Sequence, residues 1–224
     1  MELKNFICVF CDERKRAEDK YITKDKIGIC HSCYVSLGKT SLSLPYQGTR
    51  SISYIMAPFE YTGNLRHAIL DFKFKNCRAY APLFAEMMRE YIASYGIWED
   101  FDYMIPVPLH ESRLKERGYN QSELLTKYVS LQTDIPMRTD LIKRNRATKR
   151  QSSLKRYDRV LNVQGAFSAM GDVSGKNIIL CDDICTTGNT LQACADALKD
   201  AGANNICALT LAIHIVENLP VIMY

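Results

Sequence analysis

The chain has 224 residues, 47% of them hydrophobic, which is enough for one medium domain with a packed core plus a small module. Its formal net charge is only +4. The absence of an apolar run of membrane-spanning length argues against a spanning helix, and a start that turns charged within a few residues argues against a secretory leader, so a cytoplasmic protein is expected.

In chain order, the first signal is a pair of Cys-x2-Cys motifs, Cys8 with Cys11 and Cys30 with Cys33, separated by eighteen residues. This is the spacing of a four-thiolate zinc site in which each pair sits on a tight knuckle. Four sulfurs would complete a tetrahedral Zn(II) shell and leave no open position, so the expected role is structural. Residues 1 to about 45 hold too few large apolar side chains for a core of their own, a shortage a metal commonly relieves. Two other readings stand beside this one: a redox Cys-x2-Cys, which would normally open a helix in a βαβ unit, and replacement of one sulfur by His31.

Residues 42–48 read as a linker and residues 52–61 as a strand. A helix follows with Leu65, Ala68, Ile69 and Phe72 on one face, then a second with Leu83, Phe84, Met87, Met88 and Tyr91. Residues 101–107 read as a strand and residues 109–119 as a basic loop. Residues 120–131 read as a helix with Leu124, Leu125, Tyr128 and Val129 facing inward. Asn120 and Gln121 suit that helix's start, with direct recognition of an acceptor amide or base edge as the alternative.

Between residues 138 and 159, nine Lys or Arg stand against two Asp. Such a run is either a solvated face or a loop whose bases, interleaved with Thr148 and Gln151 and followed by Asn162, close over a pyrophosphate or a nucleic-acid backbone.

Residues 178–180 read as a strand buried on both faces of a parallel sheet, with Asp182 and Asp183 at its carboxyl end, where open α/β sheets bind ligands. Adjacent carboxylates repel each other and lose hydration when buried, so they need hydroxyl donors, a cation or water; the vicinal hydroxyls of a ribose meet that need. Thr186, Thr187, Gly188, Asn189 and Thr190 then offer three hydroxyls and a permissive glycine. Leu191, Cys194, Ala195 and Leu198 share one face of the helix that follows, with Gly202 placed to end it. A helix N-terminus favours a dianionic phosphate, so the segment reads as a site for a ribose and its 5'-phosphate. The missing Gly-Lys-Ser/Thr excludes a P-loop. Cys77, Cys181, Cys185, Cys194 and Cys207 lack metal spacing and read as small buried hydrophobes. Cys185, next to a helix start that can lower a thiol pKa, keeps a reactive alternative. Residues 205–213 supply a last strand, and the alternation of strands with helices predicts an α/β fold with a mostly parallel sheet.

The apolar run, two acids and Thr/Gly-rich loop of residues 178–190 resemble the phosphoribosyl pyrophosphate (PRPP) motif of type I phosphoribosyltransferases. Three further blocks look like signature blocks of ComF proteins: residues 61–74 with Arg66 and Lys73; residues 106–122 with His110, Arg113, Arg117, Gly118, Asn120 and Gln121; and residues 144–167 with Thr148, Gln151, Leu154, Arg159 and Asn162. The resemblance covers nearly the whole chain. It implies a zinc-ribbon module at residues 1–45 and a type I phosphoribosyltransferase-like domain at residues 50–224, linked to DNA uptake in natural transformation. In that family's terms Asp182 and Asp183 would hold the ribose hydroxyls, and Thr186, Thr187, Gly188, Asn189 and Thr190 would cradle the 5'-phosphate. Residues 107–113 would hold pyrophosphate, the basic stretch from Arg144 to Arg159 would close over the site, and Arg113 and Arg117 would stabilise the departing pyrophosphate. Mg(II) would chelate the pyrophosphate and ribose hydroxyls, as suits a hard cation bound through substrate oxygens.

One departure is informative. Members that handle 6-oxopurines place a carboxylate four residues after the first acid, and Thr186 stands there; its hydroxyl cannot serve as a general acid or base near neutral pH. The acceptor therefore stays open. The expected function is PRPP-dependent phosphoribosyl transfer. The rival is a module that senses PRPP or a nucleotide, or holds single-stranded DNA, without turnover, a reading favoured by the zinc ribbon, the basic run, Tyr119 and Tyr157. Expected partners are PRPP, single-stranded DNA and a DNA-translocating helicase. The apolar end at residues 219–224 would pack on a second subunit or on its own core.

Overall fold

The computed structural model of the chain describes residues 5–16, 21–22, 27–40, 46–47, 50–96, 100–146 and 165–214. The N-terminal part is a small sheet of β1 (Asn5–Cys8), β2 (Arg14–Arg16), β3 (Tyr21–Ile22) and β4 (Ile27–Ile29), in the order β2-β1-β4-β3, followed by the short helix α1 (His31–Val35). Apart from Cys8, Cys30 and Cys33, its buried apolar side chains among the described residues are Phe6, Val9, Ile29 and Leu37. They join a cluster that continues through Met56, Phe59, Leu83 and Met87, so the module borrows its core from the layer beneath it.

After β5 (Tyr46–Gln47), β6 (Tyr54–Met56) and β7 (Phe59–Glu60) come α2 (Gly63–Phe74), α3 (Ala81–Ala93), β8 (Tyr103–Pro106), α4 (Glu111–Arg117) and α5 (Gln121–Thr133). A hairpin of β9 (Ile142–Arg144) and β10 (Phe167–Ala169) precedes β11 (Asn177–Cys185), α6 (Asn189–Asp200) and β12 (Asn205–Ile213). The central sheet has the order β5-β6-β12-β11-β8, with β7 also paired to β12. Every pairing is parallel except that of β5 with β6.

Parallel strands covered on both faces must be apolar throughout, and β11 and β12, nine residues each, are buried along most of their length. Their alternation sorts side chains to two cores. Ile179, Cys181, Leu209 and Leu211 pack against α2, α3 and α5, while Ile178, Leu180, Ile206 and Ala208 pack against α6 and the β9–β10 hairpin. Two helices bury the faces their periodicity predicted, Leu65, Ala68, Ile69 and Phe72 on α2 and Leu191, Cys194, Ala195 and Leu198 on α6, whereas on α5 Leu125 and Val129 are buried and Leu124 and Tyr128 only partly so, as is Tyr91 on α3.

Two expectations are corrected. Residues 109–119 are not a loop but contain α4. His110 Nδ1 accepts from the Ser112 amide at 3.2 Å at its start, and Gly118, at φ +75°, ends it. The helix buries no residue, so it leaves no apolar stripe to read, and its sequence signal lies in caps and terminal charges alone. The strand that begins near residue 178 also runs further than expected. It continues through both acids to Cys185 because β12 pairs with it over the same length, with Asp182 opposite Thr210. Residues 147–164, which hold most of the predicted mobile basic stretch with Thr148, Gln151, Arg159 and Asn162, lie outside the described residues, as do residues 215–224 and most of the linker.

Phe72 joins the layers: its ring meets Phe84 edge-on at 5.6 Å and Tyr119 at 5.6 Å, and it is fully buried. Replacing it by Ala should cost about 3–5 kcal/mol of stability in urea denaturation. A loss below about 1 kcal/mol would show that the helix layer does not depend on it.

Candidate functional site

The acids come first because they are hardest to accommodate. Asp183 is 4% exposed. A carboxylate this buried needs a cation or donors, and Lys73, in the last turn of α2, places Nζ 2.8 Å from Asp183 Oδ1. Asp182 is only half-buried. Ser122 Oγ, in the first turn of α5, donates to Asp182 Oδ1 at 2.6 Å, and the Asp183 amide donates to the same oxygen at 2.9 Å. Burial and then the charge of Asp183 push the Asp182 carboxyl up to about 6, against the pull of Lys73 and these donors. Three elements distant in sequence, α2, α5 and β11, thus converge on one pair of carboxylates.

The strand then turns into α6. Thr186 and Thr187 are exposed, and Gly188, Asn189 and Thr190 are partly so. Gly188 caps the helix at φ +73°, in the left-handed region that favours glycine, and its carbonyl accepts the Gln192 amide at 2.8 Å. No side chain caps this helix start. Its positive dipole end therefore faces the threonine-lined turn, the arrangement that attracts phosphate.

Cations gather on the same side. Arg144, at the end of β9, has its guanidinium 5.1 Å over the Phe167 ring. Burial pulls its pKa down; the charges of Arg113 and Arg117 add to that and Asp182 opposes it, so these four groups share one electrostatic neighbourhood. Arg117 donates from Nη1 to Gln121 Oε1 at 2.9 Å and lies 5.1 Å over the Phe74 ring. Asn120 caps α5: its side-chain oxygen accepts from the Ser122 amide at 3.1 Å, and its Nδ2 donates to the Val107 carbonyl at 3.1 Å. Gln121 is buried within the same turn. Asn120 therefore serves the helix start, and Gln121 holds Arg117.

Cys8, Cys11, Cys30 and Cys33 form a separate centre, with all four Sγ atoms within 4.8 Å of one another. Four thiolates at Zn–S distances of about 2.3 Å in a tetrahedron lie about 3.8 Å apart, and Cys11 and Cys30 stand at 4.0 Å. The cluster fits Zn(II), and with four sulfurs in reach of each other the exposed His31 is not needed as a ligand. Burial raises the Cys30 thiol, but hydrogen bonds with Ser32, with Cys33 and with Cys8 outweigh it and bring it down to about 7, while burial drives Cys33 up. Cys185 is different. It is buried, and that burial together with the Asp182 charge pushes its thiol up to about 12, the state of an inert packing residue.

Of the residues picked from sequence, Asp182, Asp183 and residues 186–190 fall together, and Arg113 and Arg117 lie within electrostatic reach of Arg144, which also feels the Asp182 charge. Sequence reasoning missed Lys73 and Ser122. Lys73 closes an amphipathic helix where a base looks like a partner for the helix dipole, and Ser122 looks like a capping residue. Only their places in blocks that carry the family resemblance, residues 61–74 for Lys73 and 106–122 for Ser122, hinted at more.

The phosphoribosyl transferase domain family matches residues 105–223. Over 112 residues the chain is 37% identical to competence protein F of Haemophilus influenzae, a match that covers 49% of the chain and 49% of that protein, so the chain spans about half the length of that relative. It is 28% identical over 186 residues to competence protein ComFC of Bacillus subtilis, covering 82% of the chain and 71% of the relative. It is 34% identical over 105 residues to DNA utilization protein YhgH of Shigella flexneri, covering 47% of the chain and 46% of that protein. No helix among the described residues is long and apolar enough to cross a membrane.

The raised Asp182 carboxyl has a consequence for stability. The folded chain holds that proton up to about pH 6, whereas the unfolded chain releases it near its ordinary value of 3.8. Stability is therefore lost as pH rises through that window, and the full cost is present above it. Asp182→Asn keeps an oxygen for Ser122 and carries no charge. Thermal unfolding should show it more stable than the wild type by about 1–3 kcal/mol at pH 7.5, with the gap closing towards pH 4. A variant less stable at pH 7.5 would contradict this electrostatic cost.

Proposed function

Because the chain belongs to the phosphoribosyl transferase domain family, and within it to the ComF family, we propose that it binds PRPP at the carboxyl end of β11 and transfers the phosphoribosyl group to an acceptor, whose new bond to C1' replaces the bond to the departing pyrophosphate. The observation that carries this reading is the buried acid pair, held by Ser122 and Lys73, directly ahead of a threonine-lined turn at the start of α6. A ribose presents two adjacent hydroxyl donors to such carboxylates, and a 5'-phosphate suits the helix start.

In this reading Asp182 and Asp183 orient the ribose, and Thr186, Thr187, Gly188, Asn189 and Thr190 surround the 5'-phosphate. As the bond between C1' and the pyrophosphate oxygen lengthens, negative charge grows on the leaving group. Arg113, Arg117 and Arg144 are the bases on the described side of the site that can stabilise it. Mg(II) arriving with PRPP would be held by the substrate's own pyrophosphate and ribose oxygens, beside the acid pair, and would neutralise pyrophosphate charge. Zn(II) held by Cys8, Cys11, Cys30 and Cys33 would fix the small N-terminal sheet, which lacks a core of its own. Residues 1–45 would thus be the zinc module and residues 50–224 the substrate domain.

The names of the relatives, two competence proteins and a DNA utilization protein, support a place in the uptake or use of DNA; a location inside the cell and the partners single-stranded DNA and a DNA-translocating helicase belong to the proposal itself. Thr186 favours a second reading, PRPP binding without turnover, because no carboxylate stands at that position to move a proton to or from an acceptor.

Isothermal titration should show PRPP binding that Asp182→Asn with Asp183→Asn abolishes; unchanged affinity would refute the site. Pyrophosphate release with a panel of bases, nucleosides and single-stranded DNA separates the two readings, since tight binding with no release under any acceptor leaves only the sensor. Elemental analysis should find one zinc per chain, lost in Cys30→Ser. Full zinc retention in that variant would rule out the thiolate site.

A further inference from the structure

The ion pair between Lys73 and Asp183 supports the acid pair, but the lysine itself has no assigned role in ligand binding above. The pair is the most buried ion pair among the described residues, with side chains 18% and 6% exposed. Its lysine is also held firmly: the Tyr119 hydroxyl donates to the carbonyl of Phe72, the residue before it, and the Phe72 ring packs edge-on against Phe84 and Tyr119. The two acids differ in what they can reach, since Asp183 is closed off by Lys73 and Asp182 stays half open.

We infer that Lys73 is a built-in counter-ion of the acid pair, a positioning residue that fixes Asp183 as a neutralised support and leaves Asp182 as the carboxylate that meets ligand hydroxyls. The inference rests on the proposed ribose site for its bearing on PRPP; the charge balance of the three groups does not depend on that site. Two adjacent carboxylates with no cation would be a hard-oxygen site for a divalent ion. An ammonium 2.8 Å from one of them already satisfies that demand and opposes a second cation by repulsion. The pair then carries a single net negative charge, so any Mg(II) at the site must be brought and held by substrate oxygens.

The experiment uses the full-length, zinc-loaded protein with Lys73→Gln, which can still donate a hydrogen bond to Asp183 without a charge, and Lys73→Arg, which keeps the charge. Mn(II) binding is followed by electron paramagnetic resonance without substrate, and PRPP and ribose 5-phosphate binding by titration calorimetry. Lys73→Gln should acquire a Mn(II) site that Asp183→Asn removes, while the wild type and Lys73→Arg show none there. PRPP affinity should fall roughly tenfold or more in Lys73→Gln and return to within about threefold of the wild type in Lys73→Arg. A wild-type Mn(II) site that Asp183→Asn removes, wild-type PRPP affinity in Lys73→Gln, or an Arg variant as weak as the Gln variant would each overturn the inference. If the wild type binds neither PRPP nor ribose 5-phosphate while Lys73→Gln still gains the Mn(II) site, the PRPP reading fails and the counter-ion stands.

Discussion

Two carboxylates side by side near the end of a buried strand are the constraint on which the rest of this structure depends. Left alone they would repel each other and forfeit hydration. The chain meets the cost with a lysine from α2 and a hydroxyl from α5, one for each acid. Even so, Asp182 remains a strained acid, its carboxyl raised by burial and by its neighbour. A site that costs stability and is still built from three separate elements is the pattern of a functional group, since a purely structural position would be cheaper filled with an apolar side chain.

The surrounding contacts keep those elements in register. Arg78 donates from Nη2 to the Gly118 carbonyl at 3.0 Å and lies 4.7 Å over the Tyr119 ring, while Tyr119 itself donates to the end of α2. Gly118 permits this closeness: it sits at φ +75°, and a Cβ there would come within 3.1 Å of Arg78 Nη2. The junction between α4 and α5 is thereby pinned to the residues flanking Lys73. One turn further on, Ser122 reaches Asp182. A single locked corner thus sets both the cation and the hydroxyl that serve the acids.

Much of this was legible in the chain because it rests on local signals. The apolar faces of α2 and α6, the buried strand β12 and the acid pair before a threonine turn each follow from spacing within about a dozen residues, and the thiolate site from two Cys-x2-Cys knuckles eighteen residues apart. The parts that were not legible depend on tertiary pairing or on weak local cues. Helix α4 buries nothing, so its caps were the only evidence for it. The full length of β11 is set by β12, some thirty residues away in sequence. Lys73 and Ser122 carry ordinary helix-end explanations, and their contacts with Asp183 and Asp182 bridge 110 and 60 residues of chain. Periodicity shows which side a residue faces but not what it meets there.

The central claim is that the acid pair and the α6 start together receive a ribose 5-phosphate group. The most direct measurement is a titration of isotope-labelled, zinc-loaded protein with PRPP, followed by amide chemical shifts. Shifts concentrated at residues 182–190 and at the ends of α2 and α5, and absent when Asp182 and Asp183 are both replaced by Asn, are the predicted result. Shifts confined to other regions, such as the thiolate module, or a spectrum unchanged at millimolar PRPP, would contradict it.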